Sequence, residues 1–194
     1  PRYSSGERTT RLMMGSRSIG VAFAAASLKA IEPAILKAMG VNAVRTAHNA
    51  PAPEFLDVCD RLGVLVIDEA FDTWRGDKTT NDYHLYFEEW AERDIKDMVR
   101  RDRNHTSVFA WSIGNEIYYA STTDAQNLIA WVKEEDHTRP LTWASNQMTI
   151  EPVHVEIAEM LDLQGYNYVG HRGDYDEEHE AHPDWVLYGS EISA

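Results

Sequence analysis

Six short apolar runs, each closing on polar side chains and each parted from the next by a helical pattern, limit what this chain can fold into. The runs span 41–46, 64–68, 108–113, 141–145, 161–166 and 186–190. They are rich in Val, Ile, Leu and aromatic residues, with few alternating polar positions, as in strands buried on both faces. Helical stretches lie between them. Pro33 suits a first helical position and Gly40 a C-terminal cap around 34–39, and Pro53 and Gly63 bracket 54–62 in the same way. Phe87, Ala91, Asp94, Ile95 and Met98 mark a longer amphipathic helix; Ala125, Leu128, Ile129 and Val132 mark another. Such alternation requires a parallel sheet, either doubly wound or closed into a (β/α)8 barrel.

Two observations favour the barrel. Neither G-x-G-x-x-G nor a phosphate-loop lysine motif is present, which weakens a nucleotide-binding sheet. The strand ends instead carry Arg45 and His48, Asp68 and Glu69, Asn115 and Glu116, Asn146, Tyr166 to Tyr168, and Glu191. In barrel enzymes the C-terminal strand ends hold the chemistry.

Charge narrows the partners. A formal net charge of −14 over 194 residues disfavours a nucleic-acid backbone. The one basic cluster, Arg100, Arg101 and Arg103, stands where a helix should end, where cations complement its dipole. No apolar run reaches the roughly 18 residues a membrane span needs. The apolar stretch 19–26 is too short to span and lacks the order of a signal peptide. Cys59 is the one cysteine, so no internal disulfide can form, which favours a reducing compartment such as the cytoplasm. Eight histidines include no H-E-x-x-H and no closely spaced ligand set, so neither a metal nor another cofactor is expected.

Two glutamates stand out. Glu116 follows the buried run 108–115, where an unpaired carboxylate is costly and a raised pKa would suit a general acid. A carboxylate at a helix N-terminus is the alternative reading. Glu191 follows 186–190 with the same character. Carboxylates on different barrel strands can face each other across the mouth. A separation of about 5–5.5 Å would serve a retaining glycosidase and about 6.5–9.5 Å an inverting one.

At this point the chain resembles a family. The motifs G-V-N-A-V-R-T-A-H-N (40–49), F-L-D-V-C-D-R-L-G-V-L-V-I-D-E-A-F-D-T-W (55–74), D-M-V-R-R-D-R-N-H-T-S-V-F-A-W-S-I-G-N-E-I (97–117), D-H-T-R-P (136–140), G-Y-N-Y (165–168) and Y-G-S-E (188–191) are similar to those of glycoside hydrolase family 2. The resemblance covers about residues 30 to 194. It implies a retaining β-glycosidase acting on terminal β-linked sugars, most similar to the β-galactosidases, with β-glucuronidases as the alternative. It implies Glu116 as acid/base, Glu191 as nucleophile and Asn115 as the residue that bonds the sugar 2-hydroxyl. Tyr168 would bond the nucleophile, with Tyr166 the weaker candidate. Arg45 and His48 would position nucleophile and sugar, and an Arg beside a carboxylate keeps it ionised, so Arg45 should lie nearer Glu191 than Glu116. Asp68 and Glu69 are candidates either for sugar hydroxyls or for ion pairing with Arg45. Trp74 and Trp143 could stack on a sugar or pack in the core. Where some galactosidases of the family hold magnesium, this chain reads F-D-T-W, and no such site is expected.

The pattern departs from the family at both ends. Residues 1–29 form an atypical segment that lacks the histidine and aspartate of the usual first strand, and the chain stops at Ala194, just past Glu191. The expected architecture is therefore a partial barrel over 30–194, about strands 2–7 of eight. Its open edges predict association with a second copy or a loosened site. A barrel fragment with impaired catalysis, acting as a sugar-binding or self-assembling scaffold, is the competing reading.

Overall fold

A computed structural model describes residues 9–14, 17–23, 31–146, 151–168 and 175–192. Its strands are β1 (Thr9–Met14), β2 (Arg17–Phe23), β3 (Ala43–Arg45), β4 (Leu65–Glu69), β5 (Val108–Asn115), β6 (Leu141–Ser145), β7 (Leu163–Asn167) and β8 (Leu187–Glu191). Its helices are α1 (Ile31–Ala38), α2 (Pro53–Leu62), α3 (His84–Asp102), α4 (Thr122–Glu135), α5 (Pro152–Ala158) and α6 (Tyr175–Ala181). All eight strands lie in one sheet in chain order. β1 and β2 form an antiparallel hairpin, and every later neighbouring pair is parallel. This is the curled sheet of an incomplete (β/α)8 barrel.

All six strands read from the sequence occur, as β3 to β8. Their ends shift in an informative way: β4, β5 and β8 run on through Glu69, Asn115 and Glu191, so polar residues close the buried strands. The N-terminal segment differs from expectation. Its stretch 17–23 is a strand that pairs in parallel with β3, Val21 opposite Ala43, and so occupies the place before the first strand read from the sequence. Small apolar residues there obscure a strand pattern, because Ala and Gly have low β-propensity. α5 was also not foreseen, being only seven residues long.

The helices bury the faces their periodicity marks. α3 turns Phe87, Ala91, Ile95, Met98 and Val99 inward, and α4 turns in Ala125, Leu128 and Val132. Gly63 ends α2 at φ 64°, a left-handed conformation that a side chain would resist, and its N–H bonds the Cys59 carbonyl. No described helix is long and apolar enough to cross a membrane.

The D-H-T-R-P motif is a clasp between the end of α4 and the start of β5. Asp136 accepts the Trp111 indole N–H at 3.0 Å and pairs with Arg139 at 2.5 Å. Arg139 also donates to the carbonyls of Val108 (2.6 Å) and Arg103 (2.8 Å). Burial would push the Asp136 carboxyl up, but Thr138, Arg139 and Trp111 hold it down at about 2. Removing one partner of a buried charged pair costs about 3–5 kcal/mol. Asp136→Ala should therefore lower the melting temperature by roughly 10 °C in calorimetry. A change within one or two degrees would show that the clasp contributes little.

Candidate active site

The site forms where β3, β4, β5, β7 and β8 end. In a strand, neighbouring side chains point to opposite faces. Asp68 and Glu69 illustrate the consequence. Glu69 is fully buried and bonded by Arg45 through Nε (2.7 Å) and Nη2 (2.8 Å), so it answers the ion-pairing alternative. Asp68 does not reach the mouth, which corrects its reading as a sugar ligand. It turns to the outer layer, where burial and then the Asp102 carboxyl on α3 push its own carboxyl well above the usual range. Fully buried against helix α3, Asp68 has no route to a sugar hydroxyl.

Arg45 is the hub. It is fully buried, and besides Glu69 it donates to the Asn115 side-chain oxygen at 2.7 Å and the Ser190 carbonyl at 3.3 Å. Its Nη1 lies 3.5 Å from Glu191 Oε1. His48 joins the same cluster, with Nδ1 at 3.1 Å from Glu69 Oε1 and Nε2 at 3.5 Å from Glu191 Oε1. Burial lowers the Arg45 pKa, but Glu69 outweighs it and the net direction is up. Burial would raise the Glu69 carboxyl, yet Arg45 and His48 hold it at about 2. Glu69 is therefore a fixed counter-ion.

Glu191 is buried, and Tyr168 donates its hydroxyl to Glu191 Oε2 while its backbone N–H bonds the Glu191 carbonyl at 2.8 Å. Tyr166 goes elsewhere, to Glu178 at 2.9 Å. Glu116 is half-buried and receives the Asn167 amide at 2.9 Å. That amide also meets the Asn115 oxygen at 3.2 Å, and Ser190 donates to the Asn167 oxygen at 2.6 Å. Asn167 thus ties the end of β5 to the end of β8. Glu116 and Tyr168 both hold left-handed backbones, at φ 45° and 62°. Such conformations cost of order 1–3 kcal/mol and cluster at functional sites.

Asn115 is held on all sides. Beside Arg45 and Asn167 it donates to Asp72 at 3.0 Å, and Lys78 bridges Asp72 (2.7 Å) and the Asn115 carbonyl (2.8 Å). Trp74 is not a sugar platform as placed. It is 1% exposed, donates to the Ile113 carbonyl, and stacks between Phe87 and Trp143, so its faces are already covered. Asn167, Asp72 and Lys78 went unassigned in the sequence. Asn167 stands inside G-Y-N-Y and was legible there; Asp72 and Lys78 lie in a loop with no periodicity to flag them. Among the described residues no group of three or more His, Cys, Asp or Glu is arranged to hold a metal ion.

The Glu69 anion carries a pH dependence. Its folded pKa of about 2 lies below the ordinary 4.5, so its stabilisation is complete above that ordinary value and drains as pH falls towards 2. The amount at stake is about 3 kcal/mol. Acid unfolding should begin below about pH 4.5 and shift in Glu69→Gln, whose stability will be lower and flatter across that range. An identical acid profile in the variant would contradict this assignment.

Comparison with known proteins follows the same outline. Residues 19–184 match the family described as glycosyl hydrolases family 2, TIM barrel domain. The chain is 41% identical over 187 residues to the β-galactosidase BoGH2A of Bacteroides ovatus, covering 77% of this chain and 22% of that protein. The crystal structure of a glycosyl hydrolase family 2 member from Bacteroides cellulosilyticus superposes with a TM-score of 0.76 at 42% identity, over 86% of this chain and 22% of that one. An FMN-binding β-glucuronidase from Facaelibacterium prausnitzii L2-6 gives 0.66 at 28% identity, over 82% of this chain and 26% of that one. The chain thus spans about a fifth to a quarter of the length of these relatives.

Proposed function

The chain belongs to glycoside hydrolase family 2, and from that premise we propose that it carries the catalytic pair of a retaining β-glycosidase, with a terminal β-galactoside as substrate. The observation that carries the reading is an asymmetry. Arg45, His48 and Tyr168 converge on Glu191, whereas Glu116 receives the neutral Asn167 amide. Donors that fix both Glu191 oxygens, one of them a guanidinium, suit the group that attacks, whereas the Asn167 amide holds a single Glu116 oxygen, which suits a group that must pass a proton.

In the first step a Glu191 oxygen attacks the anomeric carbon while Glu116 gives its proton to the departing oxygen. The C–O bond to the leaving group breaks and an ester to Glu191 forms. Glu116, now a carboxylate, takes a proton from water as the water attacks the same carbon, and the sugar leaves with its β configuration restored. Arg45 and Tyr168 steady the Glu191 oxygens as the carboxylate forms and loses the ester. Arg45 also fixes the Asn115 side chain, whose amide gives one N–H to Asp72 and can turn the other to the sugar 2-position.

The choice of galactose is supported by the relationship to BoGH2A. A β-glucuronide is the second reading, favoured by the β-glucuronidase relative. Proton NMR of this chain acting on aryl β-galactoside and β-glucuronide tests both points. The proposal expects galactoside turnover with the β-anomer appearing first. An α-anomer appearing first, or turnover of the glucuronide in its place, would overturn the corresponding part.

A further inference from the structure

We propose that the cleft beside the turn at 117–120 binds the leaving half of the substrate, with Tyr119 as the platform for a neutral pyranose ring. This rests on the reading of Glu116 as the acid. The cleft has a volume of about 450 Å³, within the range of sites for small ligands. Its walls come from Asp77 after β4, from Tyr118 and Tyr119 after β5, and from Glu151 and His154 at the start of α5. None of its described lining residues comes from the ends of β3, β7 or β8, which carry Arg45, His48, Tyr168 and Glu191. Tyr118 and Tyr119 follow Glu116 by two and three residues, so the cleft opens beside the turn that leaves the acid. An acid that protonates the departing oxygen must have the departing group next to it.

Tyr119 is 85% exposed, and Tyr118 is 40% exposed, an unusual cost for two aromatic rings directly after a catalytic acid. Tyr119 is nonetheless held. Its backbone is left-handed, at φ 53°, and Gly76 is packed beneath it so closely that a Cβ there would lie 2.3 Å from the Tyr118 carbonyl oxygen and 2.8 Å from Tyr119 Cδ2. Only glycine permits that approach. Thr73 donates to the Gly76 carbonyl, and Lys78, two residues on, bonds the Asn115 carbonyl just before Glu116. One loop thus supports both the platform and the acid. A fixed, open aromatic face suits the apolar face of a pyranose, and the exposed carboxylates of Asp77 and Glu151 suit its hydroxyls. Among the described residues the lining contains no Lys or Arg, so a leaving group bearing carboxylate, sulfate or phosphate is disfavoured.

The test compares the chain with Tyr119→Ala and Tyr119→Phe on two substrates of one glycone, the β-glycosyl fluoride and a neutral β-linked disaccharide. The fluoride has no ring to place in the cleft. If the unaltered chain turns over neither galactosyl nor glucuronyl fluoride, the catalytic reading itself fails, whatever Tyr119 does. Given turnover, Tyr119→Ala should lower kcat/KM for the disaccharide about tenfold more than for the fluoride, chiefly through KM. Tyr119→Phe should restore most of that difference, because stacking needs the ring and not the hydroxyl. Gly76→Ala, which pushes on the same turn, should move the ratio in the direction of Tyr119→Ala. Equal losses on both substrates in Tyr119→Ala would overturn the proposal.

Discussion

Replacing Glu191 with alanine will lower turnover of an aryl β-glycoside by at least about 10⁴-fold, and azide will restore it with an α-glycosyl azide as product. The fold should survive the change. Arg45, the charge that Glu191 would leave behind, keeps its two bonds to Glu69 and its bond to Asn115. No buried cation is orphaned, so the loss reads on chemistry and not on unfolding. With the carboxylate gone, a small anion can occupy its place and attack the anomeric carbon from the same face, which inverts the β-linkage once. Recovery of an α-azide identifies the face Glu191 serves. Persistence of activity in Glu191→Ala would mean that another group attacks the sugar.

Glu116→Ala will behave differently, and the difference is the more discriminating result. Loss of a general acid costs about 10²–10⁴-fold, and the cost depends on how much help the leaving group needs. Turnover should fall furthest for a disaccharide and least for a glycosyl fluoride, whose leaving group departs without a proton. Azide added to this variant should give a β-glycosyl azide, because the glycosyl-enzyme on Glu191 still forms and is then attacked from the opposite face. The Asn167 amide, which loses its Glu116 partner, retains the Asn115 oxygen, so the end of β5 stays tied to β7. Equal losses on all leaving groups, or an α-azide, would remove Glu116 from the acid role.

Much of this arrangement was legible from residues alone, and the reasons are physical. Strands buried on both faces announce themselves as apolar runs, so β3 to β8 stood out. Their polar ends marked Arg45, His48, Asn115, Glu116 and Glu191 as a set. The direction a side chain takes was less legible. Asp68 and Glu69 are neighbours of like charge, yet strand alternation sends one to Arg45 and the other to Asp102, and nothing in the pair says which. The sequence leaves Trp74 open for a related reason: a large aromatic near a strand end can face the mouth or the helices, and here it completes a stack with Phe87 and Trp143. The early strand β2 was hidden by its small residues. The support that Lys78, Asp72 and Gly76 give to the end of β5 comes from a loop, where contact depends on a fold already formed.

The most direct measurement is to trap the covalent intermediate. The chain would be incubated with 2,4-dinitrophenyl 2-deoxy-2-fluoro-β-galactoside and digested, and the labelled peptide sequenced by mass spectrometry. The fluorine slows both steps, and the good leaving group keeps the first one faster than the second. A single fluorogalactosyl adduct on Glu191, absent from Glu191→Ala, is the predicted result. A label on Glu116 or any other side chain, or burst release of dinitrophenol with no adduct at Glu191, would contradict the account.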